Sequence, residues 1–279
     1  MSWVALDIQT IPPRREAVAA WLVAETGQAV EERDDGTIVS FAHSEAAAHA
    51  LLGRMRRELP ETRLEVTLRE LPETDWRTAW RDGIVTRRFG RLVLTPSWLP
   101  VTPAAGEVVL VIDPENAFGS GEHGSTRASL ALLERHLRPG DRVLDLGSGS
   151  GILAIAALLL GARRAVGIEH DAESNPVAER NAGVNGVAAR ATFLDGEIDD
   201  LAPLVGPAEL ICSNILRTVN TAVLPAIRAA LAPGGIVLFA GMEEQEAPLF
   251  RATLAGDGWT VVDEAIDGAW WACAARRAG

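Results

Sequence analysis

The stretch Val143-Leu-Asp-Leu-Gly-Ser-Gly-Ser-Gly-Ile-Leu153 decides the fold. Val143, Leu144 and Leu146 are the apolar run of a strand. Three glycines follow, Gly147, Gly149 and Gly151, and then an Ala- and Leu-rich helical run from Ile152 to Leu160. A strand, a glycine turn and a helix make the crevice in which an α/β sheet holds a nucleotide. Glycine there lets the backbone approach a ligand where a Cβ would clash. The spacing separates the possible ligands. A dinucleotide fingerprint, Gly-x-Gly-x-x-Gly, needs glycine at position 152, where the chain has Ile152, so a nicotinamide oxidoreductase is disfavoured. A phosphate loop ends in Gly-Lys-Ser/Thr, and the chain contains no lysine.

What remains is Asp-x-Gly-x-Gly-x-Gly, from Asp145 to Gly151. It resembles the first motif of the class I S-adenosyl-L-methionine (AdoMet) methyltransferases. A second strand follows, Ala165-Val-Gly-Ile-Glu-His-Asp171, and places Glu169 at its C-terminal end, 22 residues after Gly147. An acid at that point accepts hydrogen bonds from both ribose hydroxyls. Asp171, one turn further on, is a second candidate for the same role.

Length and composition frame this crevice. The 279 residues allow a large core and two domains. Hydrophobic residues at 48% and charged residues at 23% describe a globular chain. No run of 18 uncharged apolar residues suggests a membrane span. The first thirty residues lack a signal core, so a cytoplasmic location is expected. Cys212 and Cys273 fall in apolar runs without disulfide or zinc spacing and read as buried free thiols. The net charge of −12 argues against a nucleic-acid partner and suits a cationic one. All 26 basic residues are arginine.

Residues 1–70 read as a small α+β domain: a strand from Trp3, a helix Arg14–Thr26 ending at Gly27, and two strands around the hairpin signal Asp34-Asp35-Gly36. A helix Glu45–Leu59 capped by Ser44 and a strand Arg63–Arg69 complete it. This β-α-β-β-α-β order is the ferredoxin-like arrangement. Residues 71–105 read as a connector, with a helical Asp75–Trp80 and a strand Arg91–Trp98. Trp76, Trp80 and Trp98 read as packing anchors. Residues 106–279 hold the glycine turn. Within them the spacing predicts a helix near Thr126–Leu137 capped by Ser125 or Thr126, and strands at Arg190–Leu194, Leu210–Leu216 and Gly235–Ala240. Arg217–Leu231 reads as one helix, and Gly241-Met-Glu-Glu as the start of another. An Asp267-Gly268 turn would give an antiparallel last strand. Asp195 is a candidate for the adenine amino group, and Asn214 lies at the C-terminal sheet edge, where ligands bind. Ile215 and Leu216 follow Asn214, so no aromatic is offered to a flipped base.

The most distinctive loop is Asp113-Pro-Glu-Asn-Ala-Phe-Gly-Ser-Gly-Glu-His-Gly-Ser-Thr126. Together with the glycine stretch, Asn181-Ala-Gly-Val-Asn-Gly186, Ser213-Asn-Ile-Leu216, Pro233-Gly-Gly235 and Gly241-Met-Glu-Glu-Gln245, it resembles the ribosomal protein L-eleven methyltransferase (PrmA) family. The resemblance runs through nearly the whole chain, including Pro96-Ser-Trp98. It implies a seven-stranded, Rossmann-like class I methyltransferase sheet of the α/β class behind a substrate-recognition domain. It implies N-methylation of lysine side chains and the N-terminal amine of a large-subunit ribosomal protein, with AdoMet as cofactor and no metal. The family's AdoMet contacts fall on Thr126, Gly147, Glu169 and Asn214, and Gly149 belongs to the same turn. Asn214 and His123 are the candidates for positioning the acceptor amine. The family's Gly-Thr-His-Pro-Thr-Thr reads Gly121-Glu-His-Gly-Ser-Thr126 here. Glu122 adds a negative charge near the site, and losing proline at 124 should loosen the loop. Those departures keep a second substrate open, another protein lysine or a small-molecule amine. A catalytically silent AdoMet-binding module is the non-enzymatic alternative. A monomer is the expected state.

Overall fold

The computed structural model describes residues 3–26, 30–32, 36–59, 64–70, 84–113, 115 and 117–277. The chain divides into two compact units, Met1–Asp82 and Gly83–Gly279.

In the first unit, β1 (Val4–Thr10), α1 (Arg15–Thr26), β2 (Glu31–Glu32), β3 (Ile38–Ala42), α2 (Glu45–Glu58) and β4 (Leu64–Glu70) follow in turn. The strands pair antiparallel in the order β2-β3-β1-β4, the ferredoxin-like order. Leu6, Ile8, Leu22, Ile38 and Met55 close its core. Ser44 caps α2 by accepting from the Ala47 amide, as the sequence indicates. The hairpin residues Asp34 and Asp35, the helix stop at Gly27 and the Asp75–Trp80 helix, with Trp76 and Trp80, lie outside the described residues.

The second unit opens with a three-stranded sheet. β5 (Arg87–Phe89) pairs antiparallel with β6 (Leu92–Thr95), and β6 runs parallel to β7 (Val108–Val111). The strand read at Arg91–Trp98 is β6, and it lies within this unit. The main sheet has seven strands in the order β10-β9-β8-β11-β12-β14-β13. These are β8 (Arg142–Leu146), β9 (Arg164–Glu169), β10 (Ala191–Asp195), β11 (Ala208–Asn214), β12 (Leu231–Glu243), β13 (Trp259–Asp267) and β14 (Trp270–Arg277). The first five are parallel, and β14 is antiparallel to both neighbours. Alternate residues of one strand feed two cores, Leu210 and Cys212 one and Ile211 the other. A sheet buried on both faces reads as continuous apolar strands.

Helices α3 (Gly124–His136), α4 (Ile152–Leu159), α5 (Ser174–Val184), α6 (Ile198–Val205), α7 (Arg217–Ala222), α8 (Leu224–Ala230) and α9 (Ala247–Gly256) flank it. α4 is apolar on every side, and seven of its residues are buried, as a helix sealed between layers must be. Three readings are corrected. α3 starts at Gly124 rather than Thr126, and neither Ser125 nor Thr126 caps it, because His123 is the extended N-cap residue. Residues 217–231 break at Val223 into two helices, with Pro225 in the first turn of the second. Gly241-Met-Glu-Glu is not a helix start. β12 runs through Glu243, held by the pairs Met242–Trp271 and Glu243–Trp270, and α9 begins only at Ala247.

Candidate functional site

The glycine turn between β8 and α4 is fixed from two directions. The Gly147 and Ser148 amides donate to the Ile168 carbonyl at the end of β9, at 2.9 and 3.2 Å. The Ser150 amide donates to the Phe118 carbonyl at 2.8 Å, and Ser150 Oγ donates to the Gly119 carbonyl at 2.8 Å. Gly149 has φ +50°, and a Cβ there would sit 2.5 Å from the Phe118 carbonyl oxygen. Glycine is therefore required by the chain itself, as well as by any ligand. Asn181 of α5 joins the two segments: its Nδ2 donates to the Ser150 carbonyl at 2.9 Å, and its Oδ1 accepts from the Asp113 amide at 3.1 Å. The Asn181-to-Gly186 motif thus holds the 113–123 loop against the turn.

Glu169 closes the first wall. It is 7% exposed. Its Oε2 accepts from the Gly149 amide at 3.0 Å, and its Oε1 from the Asp171 amide at 3.0 Å, with His170 Nδ1 at 3.1 Å. A carboxylate offers about four acceptor positions, so its partners leave room for hydroxyl donors. Asp171 is committed to the start of α5, accepting from the Glu173 amide and Ser174 Oγ. Asp195 is exposed and does not line the cavity; its neighbours Gly196, Glu197 and Ile198 do. Beneath the turn, Asp145 is completely buried. Its Oδ2 accepts from the Ala154 amide at 3.0 Å, and its Oδ1 has no partner among the described residues. Burial, with the nearby Glu169 charge, pushes its pKa up to about 7.

Asn214 closes the opposite wall. Its Nδ2 donates to Thr126 Oγ1 at 3.3 Å, while its Oδ1 is buried without a partner among the described residues. Thr126 is itself fully buried and does not line the cavity. It orients the Asn214 amide, so its hydroxyl acts on a ligand only through that side chain. The sequence reading missed Asn220. This buried amide donates to the Ile215 carbonyl at 2.8 Å and the Ala240 carbonyl at 3.0 Å, and accepts from Ser213 Oγ at 2.7 Å. It staples the loop after β11 to the end of β12. Its only sequence signal is a polar residue at the fourth position of a helix.

Phe118, His123 and Trp270 form the third wall. His123 packs tilted against Trp270, with ring centroids 4.0 Å apart, and meets Phe118 edge-on at 5.3 Å. His123 Nδ1 shares a 2.7 Å hydrogen bond with Ser125 Oγ. Desolvation, and then the Arg127 charge, lower its pKa, so the ring is neutral at pH 7. Arg127 donates to Asp267 and to the Glu122 carbonyl, tying the loop to the β13–β14 turn. Glu122 turns away from the cavity and pairs with Arg87. A Cβ at Gly124 would lie 2.6 Å from both the Asp267 carbonyl oxygen and Trp270 Cδ1. Both departures in the Gly121–Thr126 loop are thus absorbed by local packing.

These walls enclose about 890 Å³ at the C-terminal edge of the sheet, within the range of small-molecule pockets. His123, Gly147, Gly149, Glu169 and Asn214 all line it. A glycine turn, a strand-end acid and an unpartnered amide oxygen fit a ligand carrying a ribose and an amino group. Among the described residues no group of His, Cys, Asp and Glu could hold a metal ion. A sheet of this order with this cavity defines a class I AdoMet-dependent methyltransferase.

The family model described as Ribosomal protein L11 methyltransferase (PrmA) matches residues 8–278, and the chain belongs to that family. The chain is 43% identical over 201 residues to the ribosomal protein L11 methyltransferase of Thermus thermophilus, covering 72% of this chain and 77% of that protein. It is 40% identical over 228 residues to that of Pelotomaculum thermopropionicum, covering 81% and 72%. The crystal structure of a ribosomal protein L11 methylase from Lactobacillus delbrueckii subsp. bulgaricus is similar at a TM-score of 0.62 and 30% identity. That similarity covers 67% of this chain and 95% of that one.

Proposed function

We propose that this protein transfers a methyl group from AdoMet to amino groups of ribosomal protein L11, on lysine side chains and the N-terminal amine. The observation that carries the reading is the buried, unpartnered Oδ1 of Asn214 in the wall opposite Glu169. An orphaned acceptor costs about 1–3 kcal/mol, and an amine N–H satisfies it.

AdoMet, when bound, supplies a methyl group on a positive sulfur, a strong electrophile, so the protein's task is alignment. Glu169 takes the ribose hydroxyls. The Gly147–Gly149 turn accepts the close approach of the ligand. Gly196, Glu197 and Ile198 line the cavity and would hold the adenine. Asn214 Oδ1 accepts an N–H of the acceptor amine and so turns its lone pair inward. Thr126 holds the amide in that sense, and Asn220 holds the loop.

The amine must be neutral to attack. A lysine of pKa about 10.4 at pH 7.4 is about 3 units from that state, roughly 4 kcal/mol. A terminal amine near 8 needs much less. Phe118, Ile215, Leu216 and Trp270 line the cavity with apolar surface, and desolvation lowers an amine pKa. Keeping His123 neutral keeps a second cation out of the same pocket. The first unit docks the protein substrate, the role its resemblance implies. A ribosomal-protein substrate suits a reaction in the cytoplasm. Separately, no described helix is long and apolar enough to cross a membrane.

Incubation with radiolabelled AdoMet and purified L11, followed by mass spectrometry of L11, tests the reading. Label on L11 amines, lost in Asn214→Ala, is the expected result. Cofactor binding without label on L11 would discard the substrate, and failure to bind AdoMet would discard the site.

A further inference from the structure

The opposite edge of the sheet carries an unassigned cluster. Arg142, Arg163, Arg164 and Arg190 line a cavity of about 430 Å³ with Ala189. Arg142 opens β8 and Arg164 opens β9, and the two are register partners. Ala191 of β10 pairs with Ala165, so Arg190, one residue earlier, stands beside Arg164. Two adjacent parallel strands thus begin on arginine and a third is immediately preceded by one, in one row with strands roughly 4.8 Å apart. Like charges directly across a sheet destabilise it.

Elsewhere in this unit an arginine typically closes on a carboxylate, as in Arg135–Asp263, Arg217–Glu246 and Arg251–Glu264. Only Arg142 in the cluster does so, through Glu209. Arg164 donates to Thr192 Oγ1, and Arg190 to the Ala162 carbonyl at 2.8 Å. These neutral acceptors fix the guanidiniums and leave their charge uncompensated. No ion pair of Arg163, Arg164 or Arg190 occurs among the described residues.

We infer that this cavity binds a phosphate-bearing anion. Planar guanidinium forks match phosphate geometry bidentately. Several forks around one cavity exceed what a single carboxylate can accept, whereas grouped phosphate oxygens can use them together. The chain is acidic overall, at −12, so the attraction is confined to this row. The phosphate can come from a free polyphosphate, such as that of a nucleotide, or from an RNA backbone. The inference is independent of the methyl-transfer reading, because the site lies at the other ends of the strands.

The test is calorimetric titration of the full chain with inorganic tripolyphosphate, with a 15-nucleotide single-stranded RNA and with hexaglutamate. The expected result is saturable, one-to-one tripolyphosphate binding, weakened at least about tenfold in Arg163→Ser/Arg164→Ser. AdoMet affinity, read in the same variant, should be unchanged and reports that it is folded. If the double variant fails to fold, Arg163→Ser alone, on an exposed residue, replaces it. RNA binding tighter than tripolyphosphate, with a steeper salt dependence, assigns the site to a polynucleotide. Weaker RNA binding assigns it to a compact polyphosphate. Absent or unaltered tripolyphosphate binding, with no RNA binding either, overturns the proposal, as does a preference for hexaglutamate.

Discussion

The two ends of the same parallel strands are built on different principles. At the C-terminal ends, polar side chains are buried and held by short-range partners, Glu169 by two amides, Asn220 by three groups and Thr126 by Asn214, while Asn214 Oδ1 and Asp145 Oδ1 have no partner among the described residues. At the N-terminal ends, Arg163, Arg164 and Arg190 are exposed and hold their charge in solvent. The first edge depends on backbone shape and fails when an atom is added. The second depends on charge and fails only when charge is removed.

Substitutions can break or sharpen this contrast. Gly149→Ala should have the largest effect. Its Cβ meets the Phe118 carbonyl in a left-handed conformation, so stability should fall by about 2–4 kcal/mol. AdoMet affinity should fall on the order of 100-fold with it; thermal melts and calorimetry read both. A melt with normal stability would show that the turn tolerates a side chain.

Asp145 distinguishes a buried charge from the exposed ones. Its folded pKa is raised from 3.8 to about 7, so the folded chain keeps a proton that the unfolded chain releases. The resulting stability is complete below about pH 4 and lost above about pH 7, falling by about 1.4 kcal/mol per pH unit between. Asp145→Asn should flatten that segment of the stability–pH curve. An unchanged slope would place the titration elsewhere.

Asn214→Ala should lower kcat about 100-fold while AdoMet affinity shifts less than about threefold. A loss confined to cofactor affinity would move Asn214 from the acceptor amine to the cofactor. Arg127→Met releases the turn carrying Trp270 from the 118–124 loop. KM for the protein substrate should rise roughly tenfold, with kcat changing less. The smallest effect belongs to the other edge: Arg163→Ser should leave the methylation rate unchanged and the unfolding stability within about 0.5 kcal/mol of the parent.

The legible part of this protein is the part in which neighbouring residues act together. Strand, turn and helix from Val143 to Leu159, and Glu169 one strand later, follow from short-range pattern. The seven-stranded sheet and its antiparallel last strand follow from the resemblance and the Asp267-Gly268 turn. Less was visible where a residue's role is set from far along the chain. Arg127 and Asp267 are 140 residues apart, and neither is distinctive by itself. Gly124 looked like a loosened loop, yet Trp270 occupies the space a side chain would need. The Gly241-Met-Glu-Glu segment carries a helix-start pattern, but cross-strand pairing with Trp270 and Trp271 keeps it extended. α6 went unread because Pro203 interrupts its pattern.

The clasp between Arg127 and Asp267 also sets an order in time. Its second half is translated 140 residues after its first. At roughly 5–20 residues per second, that is a delay of about 7–28 s. In the later part of that interval, once Glu169 has been made, a growing chain has the glycine turn and Glu169 but lacks the Trp270 wall. Cofactor capture can therefore precede the ability to seat an acceptor amine, and a ribosome paused within this interval would carry a nascent methyltransferase with its pocket still open on one side.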